Sequence, residues 1–181
     1  MVIAKKATGL LATLALTVLS ACAPSGSSTP AEVATTQEAV SVFERTCLAS
    51  LPNFADFSEK ASAAGLQKIG GLAPLKNPHQ LPNKRVIVGL VDSPSGVICN
   101  FTVDSNDDPK AVGSALLASA RKAVGRGQGK SYPSSFYEYA VQLPNGSLIT
   151  QNIRKKGDAS RSQIFLSAPI SAEQIPPLIY N

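Results

Sequence analysis

The side chains that could do chemistry are few and scattered: one histidine, His79; three cysteines, Cys22, Cys47 and Cys99; an acidic run from Asp104 through Asp107 and Asp108; and a glycine-rich run, Gly125-Arg126-Gly127-Gln128-Gly129. A histidine acts as a general base only with a nucleophile or acid within hydrogen-bond reach, and no Ser, Cys or acidic residue stands at a telling spacing from His79. His79 sits between Pro78 and Gln80 in a segment that reads as a surface loop, where a solvated ring is the ordinary outcome. The acidic run lacks the sixth-position glycine and terminal glutamate of a calcium loop, and reads as turn and capping chemistry. The glycine run follows a predicted helix instead of opening one, so it stops a helix and does not cradle a phosphate. With one histidine and no CxxC spacing, a zinc site is not expected either. G-x-S-x-G, H-E-x-x-H and P-loop patterns are absent. No catalytic residue, metal ligand or cofactor is therefore assigned.

Binding chemistry is better represented. Phe136, Tyr137 and Tyr139 gather at the start of a predicted strand, whose alternation would put Tyr137 and Tyr139 on one face and Phe136 on the other. Arg154, Lys155 and Lys156 follow at the end of the next strand. Together they form a candidate site for an anionic glycan or lipopolysaccharide. The plain alternative is packing for the aromatic rings and solvation for the cations.

Lys5 and Lys6, the apolar run from Leu10 to Leu19 and the small residues before Cys22 have the layout of a secretory signal. The run is shorter than the roughly 20 residues that cross a bilayer. Its closing tetrad, Leu19-Ser20-Ala21-Cys22, resembles the lipobox of a bacterial lipoprotein. The resemblance implies cleavage after Ala21 and lipidation of Cys22, which would anchor the protein in the membrane with no lipid affinity required of the domain. It places the protein in the cell envelope, facing the periplasm. Ala23, where an Asp would mark inner-membrane retention, points to the outer membrane. In that oxidising compartment Cys47 and Cys99 remain as a pair, and a disulfide is expected between them. Closing a loop of about fifty residues, it would contribute on the order of 4 kcal/mol.

The 181 residues divide into a leader, 1–21, a lipidated cysteine and tether, 22–36, and one domain, 37–181. The tether is small, polar and rich in Pro and Ser, with a reach of roughly 20 Å. The 17 basic and 12 acidic residues, two of the basic ones in the leader, leave a net charge of about +3, too mild to argue for nucleic acid. Val40, Phe43, Cys47 and Leu51 recur at helical spacing before Pro52, and a second short helix stops at Gly65. Residues 70–84 read as a long loop. Arg85–Val91 and Val97–Val103 make a hairpin in which Cys99, Phe101 and Val103 share one face and Ile98, Asn100 and Thr102 the other. Asp108-Pro109 opens the strongest predicted helix, which ends at Gly125 or Gly127. A second hairpin turns at Asn145-Gly146, and a fifth strand precedes a tail containing Pro176-Pro177. Short turns between neighbours imply an α+β, two-layer domain: a largely antiparallel sheet of about five strands with helices on one face.

The segment Val42-Phe43-Glu44-Arg45-Thr46-Cys47-Leu48, with Pro52 after it and the second cysteine in a strand, resembles a loosely defined group of uncharacterised proteobacterial envelope proteins over roughly the first half of the domain. That resemblance supports the disulfide and implies no activity. The expectation is a non-catalytic envelope lipoprotein that binds a protein partner or another envelope component through a sheet face or edge. The alternatives are the anionic-glycan module and a hydrolase centred on His79.

Overall fold

The computed structural model describes residues 31–125, 127 and 129–175. The expected leader, the lipobox with Cys22, the first part of the tether and the tail from 176 onward lie outside the described residues.

Among the described residues there are three α-helices, and two of them open where a side-chain cap and apolar spacing coincide. Thr35 opens α1 (Thr36–Phe43) with a capping box: its hydroxyl accepts from the Glu38 N–H at 3.2 Å, and the Glu38 carboxylate accepts from the Thr35 N–H at 2.8 Å. The helix runs on into one π-helical turn, Glu44–Leu48, and the buried stripe of Ala39, Val42 and Phe43 continues through Thr46, Cys47 and Leu48. The short α2 (Phe57–Ala63) buries Phe57 and Ala61. Asp108 caps α3 (Pro109–Val124) by accepting from the Lys110 N–H at 3.2 Å, with Pro109 in the first turn where its missing N–H costs nothing. Gly125, at φ +98°, ends it as expected.

One antiparallel sheet of eight strands carries these helices. Its strands are β1 (Gln67–Lys68), β2 (Lys76–Gln80), β3 (Val86–Ser93), β4 (Gly96–Ser105), β5 (Lys130–Tyr132), β6 (Tyr139–Gln142), β7 (Ser147–Lys156) and β8 (Ala159–Pro169), in the spatial order β1-β2-β3-β4-β8-β7-β6-β5. The fold is α+β, but the expectation of about five strands is too low. The three extra strands, β1, β2 and β5, are short: β2 lies in the segment that reads as a long loop, β1 between the second helix and that loop, and β5 just after the glycine-rich run. β2, Lys-Asn-Pro-His-Gln, has no β-branched residue and contains a proline; pairing with β3 and β1 makes it a strand where propensity does not. β8 is inserted between β4 and β7, so the predicted fifth strand welds the two predicted hairpins into one sheet.

The helices pack on one face. Cys47 and Cys99 form a disulfide with Cα atoms 5.7 Å apart and a sequence separation of 52. Beside it the Phe43 ring meets Phe101 edge-on at 5.4 Å. Val88, Phe101, Ile164, Gln151 and Tyr139 lie in one register row across β3, β4, β8, β7 and β6. All of that row faces the helices, with Val88, Phe101, Ile164 and Gln151 fully buried. α3 comes closest at Gly113. A β-carbon there would stand 1.8 Å from Oε1 of Gln151, whose amide donates to the Pro109 carbonyl at 2.8 Å and the Ser162 hydroxyl at 3.2 Å.

Residues 31–36, expected as free tether, pack on the domain. Glu32 bridges to Lys84, the Arg85 N–H donates to the Glu32 carbonyl at 2.8 Å, and the Ala34 N–H donates to the Asp104 carbonyl at 2.9 Å. Asp107 accepts from both the N–H and the hydroxyl of Thr36, at 2.8 and 2.6 Å. Among the described residues no helix is long and apolar enough to cross a membrane.

Candidate functional site

Among the described residues the other face of the sheet carries no α-helix, only a 3-10 turn, Ala172–Gln174, at its β6 side. Its register rows run Gly89, Asn100, Phe165, Thr150, Ala140 and, one step along the strands, Ile87, Thr102, Gln163, Asn152. These side chains grade along the strands. Towards the β3–β4 turn lie Val91, Ile98 and Leu148, apolar, with the Ser167 hydroxyl among them. In the middle are neutral amides and hydroxyls: Asn100 Oδ1 accepts from the Thr102 hydroxyl at 3.2 Å and from the Gln163 amide at 3.5 Å. At the far end Arg161 donates twice to the buried Asp104, at 2.6 and 3.0 Å. The ion pair raises the arginine further above its usual range.

Two straps border this face without closing it. On the β3 side Leu75 crosses over Gly89, where a β-carbon would meet the leucine at 3.2 Å. On the β6 side Ile170 and Ile175 bury themselves with Ala140 and Leu148, and Tyr132 and Tyr137 pack against them as a second small core. Between the straps a cleft of about 140 Å³ is lined by Val91, Ile98, Tyr137, Leu148, Thr150, Phe165 and Ser167. Tyr137 stands edge-on to Phe165 with centroids 6.3 Å apart. Burial pushes its phenol up, partly offset by its hydrogen bond with Thr150. Phe136, its neighbour in sequence, is 57% exposed.

Tyr137 and Tyr139 do not share a face. β6 begins only at Tyr139, so the alternation read from the sequence does not extend back to Tyr137. Tyr139 points to the helices, where its hydroxyl donates to the Gly113 carbonyl at 3.1 Å and burial drives its phenol well above the usual range. Arg154 and Lys155 are exposed at the end of β7, and Lys156 is its last residue. Arg154 is in register with Arg161, about four residues along the strand from the cleft at Thr150. The sequence-derived cluster is thus divided three ways: Tyr137 in the cleft, Tyr139 in the core, and the cations at the hairpin.

His79 is not a solvated loop residue. It lies on β2, 1% exposed, with Nδ1 2.8 Å from the Asn77 carbonyl and its ring edge-on to Phe57 at 5.8 Å. Asp104, Asp107 and Asp108 serve three separate ends: the pair with Arg161, the hold on Thr36 and the cap of α3. Among the described residues no three His, Cys, Asp or Glu side chains converge so as to hold a metal ion.

Phe165, Leu148 and Thr150 escaped the sequence reading. β8 reads Gln-Ile-Phe-Leu-Ser, apolar at successive positions. Such a run signals a strand with apolar contacts on both faces, and was the available clue. The chain matches no family model, no curated protein and no solved structure.

Proposed function

We propose that the protein is a non-catalytic, lipid-anchored binding protein of the bacterial envelope, held to the outer membrane at Cys22, and that the helix-free sheet face engages a protein partner. The observation that carries this reading is the cleft itself. Helices and a disulfide fix one face, while the other keeps Phe165, Tyr137 and Ile98 in a half-buried cleft with the Thr150 and Ser167 hydroxyls, and neutral amides lie further along the strands. Aromatic anchors in a partly desolvated groove with a polar surround are the usual make-up of a protein-binding centre. Support for binding over catalysis comes from His79: packed under Phe57, it has no surface at which to meet a substrate.

The test is photo-cross-linking in cells from a reactive amino acid placed at Ile98 or Phe165, beside one at the exposed Ser114 of α3. A single protein captured from the sheet face and not from Ser114 supports the reading. Equal capture from both positions, or none from the cleft, overturns it. Glycan or lipopolysaccharide captured instead would favour the anionic-glycan alternative. Metabolic labelling with fatty acid, lost in Cys22→Ser, tests the anchor separately.

A further inference from the structure

We propose that the β7–β8 hairpin, through Arg154 and Lys155, rests on the anionic phospholipid headgroups of the membrane in which Cys22 is anchored. Lipidation of Cys22, as proposed above, is the premise. The tether and the hairpin meet at the same end of the sheet. Arg85, whose N–H and Nε donate to the Glu32 and Ala31 carbonyls at 2.8 and 2.9 Å, fixes the point where the tether joins the domain. The Asp104 N–H donates to the Arg85 carbonyl, Asp104 is in register with Arg161, and Arg161 with Arg154. Three strand spacings therefore separate the tether junction from Arg154, roughly 14 Å.

Because residues 31–36 are bound to the domain, the free tether is shorter than its composition suggests. An unstructured chain of nine residues, the number from Cys22 to Pro30, would span about 17 Å root-mean-square and at most about 30 Å when extended. A lipid on Cys22 then holds this end of the sheet within one or two Debye lengths of the headgroups, and the opposite end, with the cleft, away from them. Strand axes stand on the membrane, and the helix-free face looks sideways, open to a partner.

Charge on the β7–β8 hairpin favours such a surface. Lys84 is paired with Glu32 and Glu38, each at 3.2 Å, and Arg161 with Asp104, whereas Arg154 and Lys155 are exposed and in no ion pair among the described residues. From 154 to 161 the only acidic residue is Asp158, in the turn. An exposed cation beside an anionic membrane favours the bound state about fivefold, so these two give roughly 25-fold once the tether brings them near.

The lipidated protein, in vesicles of phosphatidylcholine alone or with phosphatidylglycerol, is read by hydrogen exchange across residues 153–160. Protection at least tenfold greater on the phosphatidylglycerol vesicles is expected, lost in high salt and in Arg154→Glu/Lys155→Glu, with exchange in the disulfide-linked core unchanged. Equal exchange on both vesicles overturns the proposal, as does protection by lipid A vesicles alone. The Cys22→Ser chain, pelleted with excess vesicles, separates the premise from the hairpin. Salt-sensitive pelleting with phosphatidylglycerol, lost in the double variant, keeps the hairpin surface even if mass spectrometry finds no lipid on Cys22; with a lipidated Cys22, equal exchange on both vesicles leaves the anchor and removes the hairpin's affinity.

Discussion

The two faces of the sheet use the same strands for opposite ends. On the covered face the contacts are concentrated: the Cys47–Cys99 bridge, the Phe43–Phe101 edge contact and the Gly113–Gln151 approach lie within one layer of side chains. On the helix-free face the contacts are sparse. Two straps, one crossing at Leu75 and one ending at Ile175, leave Phe165 and Tyr137 half-buried between them. The contrast teaches where substitutions should cost stability and where they should cost binding.

The largest separation is expected between two phenylalanines. Phe101 is fully buried under Phe43, and Phe101→Ala should destabilise by about 3–5 kcal/mol through lost transfer energy and the cavity left behind. Breaking the neighbouring disulfide, by reduction or by Cys99→Ser, should cost on the order of 4 kcal/mol for its 52-residue separation. Phe165→Ala, on the other face, should cost only about 1 kcal/mol, because the half-exposed ring forfeits less burial, while abolishing capture of the partner. Urea unfolding of the three variants checks the order. Similar costs for Phe101 and Phe165 would break the comparison, since the helix-free face would then be a second core.

Much of this contrast was legible before any coordinates. Alternation in β4 placed Cys99, Phe101 and Val103 together, and burial of all three follows that pattern. The Asp107-Asp108-Pro109 run signals the helix start, and the structure caps it at Asp108; of the two stops the sequence offers, Gly125 and Gly127, the helix ends at Gly125. What failed was whatever depends on partners distant in sequence. β2 carries no strand signal of its own, so His79 was read as exposed; it is buried because β2 is held in the sheet and its ring falls under Phe57. Tyr137 was misplaced because the strand starts two residues later than its aromatic run. The cleft was invisible because its walls come from β3, β4, β7, β8 and the segment before β6, and no local spacing records the order in which strands pair.

A sharper test of the covered face is the close approach of α3. Gly113→Ala should cost about 2–3 kcal/mol, because the new methyl displaces the Gln151 amide from the Pro109 carbonyl and the Ser162 hydroxyl, leaving a buried amide unsatisfied. Shortening the obstacle, in Gly113→Ala/Gln151→Ser, should recover part of that cost. The two changes are in contact, and a double-mutant cycle should show a coupling of about 1 kcal/mol or more. Strict additivity would mean that α3 moves away as a rigid body and that the approach is not what holds it.

The tether strap, outside both faces, should respond to acid before either. Hydrogen bonds from Thr36 hold the Asp107 carboxyl below its usual range, and those from the Thr35 backbone, with Lys84, do the same for Glu38. A carboxylate with a lowered folded-state pKa contributes stability above its unfolded value, and that contribution is lost as pH falls through the folded value. Residues 31–36 should therefore loosen below about pH 4, near and under the ordinary Asp and Glu values. Lys84 is raised by Glu38 and Glu32, so its contribution persists up to its unfolded value and fades only as pH rises past it, at the far alkaline end. Both carboxylates are largely solvated, so the shift in global stability should be small, and the readout is proteolysis at residues 31–36. Cutting there at pH 3.5, with the core still protected, would show that the tether junction opens without the sheet.

The smallest effect should come from a hydroxyl at the margin between the two faces. Ser147 begins β7, opposite Pro169, is completely buried, and its Oγ has no hydrogen-bond partner among the described residues. Its backbone is already committed: the N–H donates to the Asn145 side chain at 3.1 Å, and the carbonyl accepts from the Leu143 N–H at 2.7 Å. The hydroxyl adds nothing to that turn and pays its desolvation unrelieved, so Ser147→Ala should be neutral or stabilising by up to about 1 kcal/mol. A loss of more than 1 kcal/mol would mean that the hydroxyl is satisfied, by ordered water or by a bound partner. Repeating the thermal melt in the presence of the cross-linked partner decides between those two, because only a partner contact would make Ser147→Ala more costly in the complex than in the free protein.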